Sequence, residues 1–178
     1  MSKRFVLIDR DGTINVEKHY LSDPDQLELY PGIGPALKRL QDAGFGLAVL
    51  TNQSGVARGY FDLDRLTQIH DRLRALLAAE GVTVDGIYIC PHGPDDDCAC
   101  RKPLPGMVEQ AVAEHGFDPA QAFMIGDKEV DVDLGHAVGA VSFLVRTGHG
   151  AKYVDGTKAE YVVDDLAAAV AIILETAP

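Results

Sequence analysis

The chain consists of short, uninterrupted runs of apolar residues that alternate with longer amphipathic segments. An uninterrupted apolar run is typical of a strand buried on both faces, and apolar residues three or four positions apart are typical of a helix. The runs predict strands at residues 5–8, 47–50, 86–89, 122–125, 141–145 and 161–163. The amphipathic segments predict helices at residues 32–43, 63–79, 105–115, 130–138 and 165–175. Because strands and helices alternate, the predicted fold class is α/β, a doubly wound, mostly parallel sheet with helices on both faces.

The length and composition favour a single domain that covers residues 1–178. A formal net charge of −11 argues against a nucleic-acid partner, because phosphate backbones attract basic surfaces. The apolar run at residues 5–8 is too short for the core of a signal peptide. The longest apolar run, residues 166–174, is about half the length of a membrane span. These features predict a cytoplasmic protein without a membrane partner.

Two carboxylates, Asp9 and Asp11, directly follow the first predicted strand, and Gly12 comes next. Side chains alternate along a strand, so Asp9 and Asp11 are expected on one side and Arg10 on the other. Two close carboxylates repel each other unless a cation lies between them, and Mg²⁺ is the hard cation that suits oxygen ligands. One carboxylate could then act as a nucleophile and the other as a proton carrier. The alternative is an ordinary Asp–Gly turn after a strand.

Two further segments supply groups that suit a phosphate. Residues 51–55, with the sequence TNQSG, place a hydroxyl and backbone amides after the second predicted strand. Lys102 precedes a predicted helix and could bring its ammonium group to the same point, and Arg101 could form a fork of hydrogen bonds to a phosphate or a hydroxyl. The alternatives are a polar turn and a solvated basic pair.

Asp127 follows the fourth predicted strand and opens a helix. In doubly wound sheets ligands bind beyond the carboxyl ends of the strands, where Asp9, Thr51 and Asp127 are all expected. Asp127 is therefore a candidate third oxygen ligand for the ion shared by Asp9 and Asp11. Asp131, one helical turn further on, could orient Lys128 or a metal-bound water. The alternative is a helix with an acidic first turn.

The three cysteines of the chain lie within eleven residues of one another, together with a histidine. The spacing of Cys90, His92, Cys98 and Cys100 matches a closed Cys₃His zinc site. Such a site has no vacant ligand position, so the zinc is expected to be structural and to fix the loop that leads to Arg101. Free cysteines in a cytosolic protein are the alternative.

Taken together, these motifs resemble the four ordered motifs of the haloacid-dehalogenase-type phosphatases. The matching residues are Asp9-Arg10-Asp11-Gly12-Thr13, Thr51-Asn52, Lys102, and Gly126-Asp127 followed after three residues by Asp131. The resemblance runs from about residue 5 to residue 148, and no large insertion separates the motifs, so no separate cap domain is expected. Within the superfamily, the cysteine loop leading into residues 100–103 looks like two relatives, the heptose-bisphosphate 7-phosphatases and the histidinol-phosphate phosphatases.

Three segments resemble the heptose enzymes more closely. They are residues 11–15 leading to Tyr20, residues 51–59, and Arg146-Thr147-Gly148. The segment between His92 and Cys98 is shorter than in some heptose enzymes and nearer the histidinol type, so histidinol-phosphate phosphatase is the alternative enzyme. A receiver-like module that only accepts a phosphate is the alternative outside enzymes, and it would not need the second carboxylate, Asp11.

The resemblance implies that Asp9, Asp11, Thr51 and Lys102 are catalytic. Asp9 would attack phosphorus and form an aspartyl-phosphate, and Asp11 would protonate the departing sugar oxygen and then take a proton from water. Mg²⁺ would be held by Asp9, Asp127 and the main-chain carbonyl of Asp11. Thr51 and Lys102 would stabilise the equatorial oxygens of the transferring phosphoryl group. The reaction implied is removal of the 7-phosphate during the synthesis of nucleotide-activated heptose.

The resemblance also implies a set of substrate-binding positions around a fairly open pocket, and no partner chain is needed to complete it. These positions are Glu17, Lys18, His19, Tyr20, Asn52, Gln53, Ser54, Arg101 and Lys128. His19 and Arg58 could equally be surface loop residues. A monomer that acts on a small sugar phosphate is therefore expected.

Overall fold

The computed structural model describes residues 3–176 of the chain. Its strands are β1 (Phe5–Ile8), β2 (Gly46–Asn52), β3 (Gly86–Cys90), β4 (Phe123–Gly126), β5 (Val141–Val145) and β6 (Tyr161–Val163). Its helices are α1 (Ile33–Asp42), α2 (Leu63–Ala79), α3 (Gly106–His115), α4 (Glu129–Ala137) and α5 (Leu166–Thr176). The predicted fold class is confirmed, and each predicted element is found within two residues of its expected bounds.

The six strands form one sheet in the order β3-β2-β1-β4-β5-β6, and all neighbours are parallel. The chain moves outward from β1 to β3 and then returns to pair β4 with the other side of β1. The two crossovers therefore diverge between β1 and β4, which opens a crevice at the carboxyl ends of these strands. Asp9 and Asp127 are the residues that immediately follow β1 and β4.

The core lies in two layers, one on each face of the sheet. Successive residues of β1 contribute to opposite layers, because side chains alternate along a strand: Val6 and Ile8 lie in one layer, Phe5 and Leu7 in the other. Helices α1, α2 and α5 cover the first layer, and α3 and α4 cover the second. Between Lys3 and Thr176, no helix combines the length and the apolar character needed to cross a bilayer.

One boundary differs from the expectation in a way that matters for the site. Strand β2 was predicted to end at Leu50, but it continues through Thr51 and Asn52, which pair with Ile89 and Cys90 of β3. Polar residues continue this strand because its end borders a polar crevice. Thr51 and Asn52 are therefore held by sheet hydrogen bonds and not by a loose turn.

Candidate active site

A cavity of about 510 Å³ lies at the carboxyl ends of β1, β2 and β4. The four residues predicted to be catalytic, Asp9, Asp11, Thr51 and Lys102, all line it. So do most of the predicted substrate-binding residues, namely Glu17, His19, Tyr20, Asn52, Gln53, Ser54, Arg101 and Lys128. Lys18 is not brought into the cavity, since it forms an ion pair with the exposed side chain of Glu28 at 3.1 Å.

Three carboxylates, from Asp9, Asp127 and Asp131, converge at the base of the site. One oxygen from each lies within 4.8 Å of the others. Asp127 is fully buried, its Oδ2 accepts a hydrogen bond from the backbone N–H of His149 at 2.8 Å, and its Oδ1 has no hydrogen-bond partner among the described residues. Burial, followed by the charge of Asp9, raises the pKa of Asp127 to about 8. An orphaned buried carboxylate oxygen beside a second carboxylate fits a hard divalent cation.

Lys102 places its ammonium group between two of these carboxylates. Its Nζ lies 2.7 Å from Asp9 Oδ1 and 2.7 Å from Asp131 Oδ1, and it also donates to the Leu50 carbonyl at 2.8 Å. Burial alone would lower the pKa of Lys102, but the charges of Asp131 and Asp9 raise it above its ordinary value. Lys102 is therefore a fixed positive charge next to Asp9.

Asn52 holds the backbone of Lys102 from the end of β2. Asn52 Oδ1 accepts from the Lys102 N–H at 3.0 Å, and Asn52 Nδ2 donates to the Lys102 carbonyl at 3.3 Å. Asn52 was predicted as a substrate-binding residue, and in the structure its side chain binds the backbone of Lys102. It fixes the position from which the lysine side chain extends.

Asp131 has a second contact that explains its place in the cluster. Its Oδ2 accepts from the backbone N–H of Lys128 at 3.1 Å, at the start of α4. This bond, together with the ion pair to Lys102, holds the carboxylate towards Asp9. Burial, followed by the charge of Asp9, raises the pKa of Asp131 to about 6.

The carboxylate of Asp11 is not part of the cluster formed by Asp9, Asp127 and Asp131, and it is held by a different set of donors. Its Oδ1 accepts from Arg10 Nη2 and Asn15 Nδ2, both at 3.0 Å. Its Oδ2 accepts from Arg10 Nη2 at 2.8 Å and from Gln53 Nε2 at 2.9 Å. Burial alone would raise the pKa of Asp11, but the charge of Arg10 and these hydrogen bonds lower it.

The expectation that Arg10 points away from Asp11 is wrong. Strand β1 ends at Ile8, and the chain turns at once, with the N–H of Ile14 donating to the Arg10 carbonyl at 2.9 Å. Strand alternation therefore does not govern residues 9–11. The turn requires Gly12, which has φ +84°, and a Cβ there would overlap the carboxylate of Asp127.

The rim of the cavity carries a strained segment. His19 and Tyr20 have φ values of 48° and 63°, which are uncommon for residues with side chains. The N–H of His19 donates to Glu17 Oε1 at 2.7 Å, and the Tyr20 ring packs edge-on against Tyr60 at 4.8 Å. Arg58 lines the cavity with its guanidinium 5.8 Å from the centre of the Tyr20 ring. These contacts hold the segment over the cavity.

His149 was not predicted from the sequence as a site residue, but it lines the cavity, and its Nε2 lies 3.7 Å from Glu17 Oε2. Its backbone N–H is also the donor to Asp127. The adjacent Arg146-Thr147-Gly148 pattern was the signal that could have found it. Arg146 itself forms an exposed ion pair with Asp164 and does not line the cavity.

The four predicted zinc ligands come together in one cluster. Ligand atoms of Cys90, His92, Cys98 and Cys100 all lie within 4.8 Å of one another. Burial raises the pKa of the Cys90 thiol to about 12, and a bound cation would favour its thiolate form. The arrangement and the donor types fit a tetrahedral zinc ion. Arg101 follows directly and donates to the His92 carbonyl at 3.2 Å, which ties it to the cluster.

A family model described as HAD-hydrolase-like matches residues 99–169. The chain is 42% identical to D-glycero-β-D-manno-heptose-1,7-bisphosphate 7-phosphatase of Pseudomonas aeruginosa, over 98% of this chain and 100% of that protein. It is 38% identical to D-glycero-D-manno-heptose-1,7-bisphosphate 7-phosphatase of Thermosynechococcus vestitus, over 96% and 95% of the two chains.

Two solved structures are similar to this chain in both fold and sequence. The crystal structure of D,D-heptose 1,7-bisphosphate phosphatase from B. bronchiseptica, complexed with magnesium and phosphate, superposes with a TM-score of 0.91 and 39% identity. That match covers 98% of this chain and 99% of the other. The corresponding phosphatase from Burkholderia thailandensis has a TM-score of 0.75 and 32% identity, with 97% and 99% of the two chains covered.

Proposed function

The chain belongs to the haloacid-dehalogenase-like hydrolases, within their heptose 1,7-bisphosphate 7-phosphatase branch, and from that premise we propose that it hydrolyses the 7-phosphate of D-glycero-D-manno-heptose 1,7-bisphosphate. The proposal makes it a phosphoric monoester hydrolase of nucleotide-activated heptose synthesis. The observation that carries it is the placement of Asp9, which is paired with Lys102 and lies within 4.8 Å of the buried Asp127, together with a second, separately held carboxylate at Asp11. A receiver-like module has no use for that second carboxylate.

Asp9 is the proposed nucleophile. Lys102 fixes one of its oxygens at 2.7 Å, which leaves the other free to attack phosphorus. The attack forms a bond between Asp9 and phosphorus as the bond from phosphorus to the sugar oxygen breaks, and the product is an aspartyl-phosphate. Thr51 lies at the end of β2 on the same cavity, where its hydroxyl is available to the phosphoryl oxygens.

Asp11 is the proposed proton carrier. It gives its proton to the departing sugar oxygen, and the resulting carboxylate takes a proton from the water that then attacks the aspartyl-phosphate. Release of inorganic phosphate restores Asp9. The donors around Asp11 favour the carboxylate that the second step needs, and the negative charge of an incoming phosphate favours the protonated form that the first step needs.

The residues that would hold Mg²⁺ are Asp9 and Asp127, with the main-chain carbonyl of Asp11. The unpartnered Asp127 Oδ1 supports this placement. When bound, Mg²⁺ would neutralise negative charge on the nucleophile and the phosphoryl group. Asp131 is committed to Lys102 and to the start of α4, so we propose that it orients the lysine and does not bind the ion directly.

The second phosphate of the substrate requires cationic partners besides Lys102. Arg101 and Lys128 line the cavity and carry charges available for it. We propose that these two residues, with Ser54 and the strained segment of His19 and Tyr20, bind the sugar and its 1-phosphate. We further propose that a monomeric, cytoplasmic domain of residues 1–178 carries the activity.

Comparison of two substrates tests the proposed function. We expect kcat/KM for the heptose 1,7-bisphosphate to exceed that for histidinol phosphate by at least about tenfold, measured as phosphate release in the presence of Mg²⁺. The reason is that three cationic residues besides Lys102, namely Arg58, Arg101 and Lys128, line the cavity and can bind a second anionic group. A preference for histidinol phosphate would select the alternative enzyme, and retention of phosphate without release would support a receiver-like module.

We also propose that one structural zinc ion occupies the cysteine cluster. Cys98→Ser is expected to lower the zinc content from about one per chain, to lower the melting temperature, and to reduce activity because Arg101 and Lys102 follow the cluster. Elemental analysis and thermal unfolding measure these changes. Asp95→Asn is the matched control, since Asp95 is exposed in the same loop and is not part of the cluster. A folded wild-type protein without zinc would contradict the proposed site.

A further inference from the structure

A buried arginine and a buried histidine lie behind Asp11, outside the cavity. The side chain of Arg10 is 0% exposed, and its Nη2 donates to both oxygens of Asp11. Its Nη1 lies 2.9 Å from Nε2 of His70, on α2, sixty positions along the chain. Neither Arg10 nor His70 lines the cavity, so neither is positioned to touch substrate.

The chemistry of the pair fixes the state of His70. A guanidinium group has donors and no acceptor, so His70 must present the lone pair of Nε2 and carry no proton there. Burial, followed by the charge of Arg10, lowers the pKa of His70 to about 3. His70 is therefore a neutral acceptor, and its ring nitrogen determines which way the guanidinium faces.

The position of His70 is fixed by the helix that carries it. Ile69, Leu73 and Leu77 of α2 are fully buried in the core layer shared with β1 and β2. The contact between His70 and Arg10 thus joins the packed helix to the turn after β1. Because a single nitrogen of Arg10, Nη2, contacts Asp11, a bond on the other nitrogen is what prevents the guanidinium from turning away.

We propose that His70 is a positioning residue for the proton carrier Asp11 and acts through Arg10. This inference rests on the proposed phosphatase function and goes beyond it by assigning a role in the proton transfers to a residue of α2. Asp11 serves the leaving oxygen and the attacking water and does not hold the substrate. Loss of the His70 contact is therefore expected to lower kcat while KM stays nearly constant.

Three variants of His70 test the role. In His70→Gln the side-chain oxygen can take the place of Nε2, in His70→Asn it falls one carbon short, and in His70→Leu the acceptor is missing. We expect kcat of His70→Gln to stay within about threefold of wild type, and kcat of His70→Asn and His70→Leu to fall by about 10- to 100-fold, as for other supporting contacts. KM is expected to change by less than about twofold in all three.

A packing variant on the same helix separates positioning from loss of stability. Ile69→Val trims a buried side chain next to His70 without touching Arg10, and we expect it to lower the melting temperature and leave kcat unchanged. If His70→Leu does not fold, the comparison of kcat between His70→Gln and His70→Asn tests whether His70 positions Asp11. Equal kcat in these two, a change confined to KM, or an equal loss in Ile69→Val would overturn the positioning role. A wild-type protein that releases no phosphate would instead contradict the proposed function.

Discussion

Asp9→Asn is expected to lower phosphate release by about 10⁴-fold or more, the largest effect of any single substitution in this chain. The amide of asparagine is a poor nucleophile, so the aspartyl-phosphate does not form. Lys102 and Thr51 remain in place, so the remaining activity comes from binding and from charge stabilisation alone. Phosphate release from the heptose bisphosphate with saturating Mg²⁺ measures the loss.

The melting temperature expected for Asp9→Asn distinguishes a catalytic role of Asp9 from a structural one. The charge of Asp9 raises the pKa of both Asp127 and Asp131, which means that the three carboxylates repel one another in the metal-free protein. Removal of that charge costs Lys102 one partner, but its ion pair with Asp131 remains. We therefore expect the metal-free variant to melt at or above the temperature of wild type. Activity within tenfold of wild type would remove Asp9 from the mechanism.

A matched control for this substitution lies far from the cavity. Asp71 is exposed on α2, and Asp71→Asn makes the same change of one charge without touching the site. We expect its kcat and KM to equal those of wild type. An equal loss of phosphate release in Asp9→Asn and Asp71→Asn would show that the effect comes from the change in net charge and not from loss of the nucleophile.

Asp11→Asn is expected to lower phosphate release by about 10³-fold, because asparagine can neither give nor take the proton. With an aryl phosphate as substrate, Asp11→Asn should slow formation of the aspartyl-phosphate much less, since an aryl leaving group departs without a proton. With that substrate the aspartyl-phosphate should form and then persist, because no base activates the water. Retention of labelled phosphate on the denatured protein measures the trapped intermediate.

Asp11→Asn is also expected to destabilise the fold by about 1–3 kcal/mol. The reason is that Arg10 is fully buried and Asp11 is its only carboxylate partner in residues 3–176. Kinetics must therefore be measured well below the melting transition of the variant. Release of phosphate at the wild-type rate, with no labelled protein, would show that another group carries the proton.

The sequence alone predicted the parallel sheet and the carboxyl ends at which the site lies. Short apolar runs without polar alternation favour strands buried on both faces, and alternation with helices leaves few arrangements of such strands. Because ligands of these sheets bind at the strand ends, Asp9 and Asp127 could be placed near each other from sequence. The four candidate zinc ligands could be grouped from the sequence because they lie within eleven residues of one another.

What the sequence determined, then, was which residues stand at the ends of the strands; what only the tertiary structure decided was how their side chains are held. Asp131 faces Lys102, Asn52 clamps the Lys102 backbone, and His70 holds Arg10 against Asp11. Each of these contacts joins residues that are far apart in the sequence, and no hydrophobic period relates the direction of one side chain to that of the other. Packing of the helices on the sheet sets those directions, and with them the charge around each carboxylate.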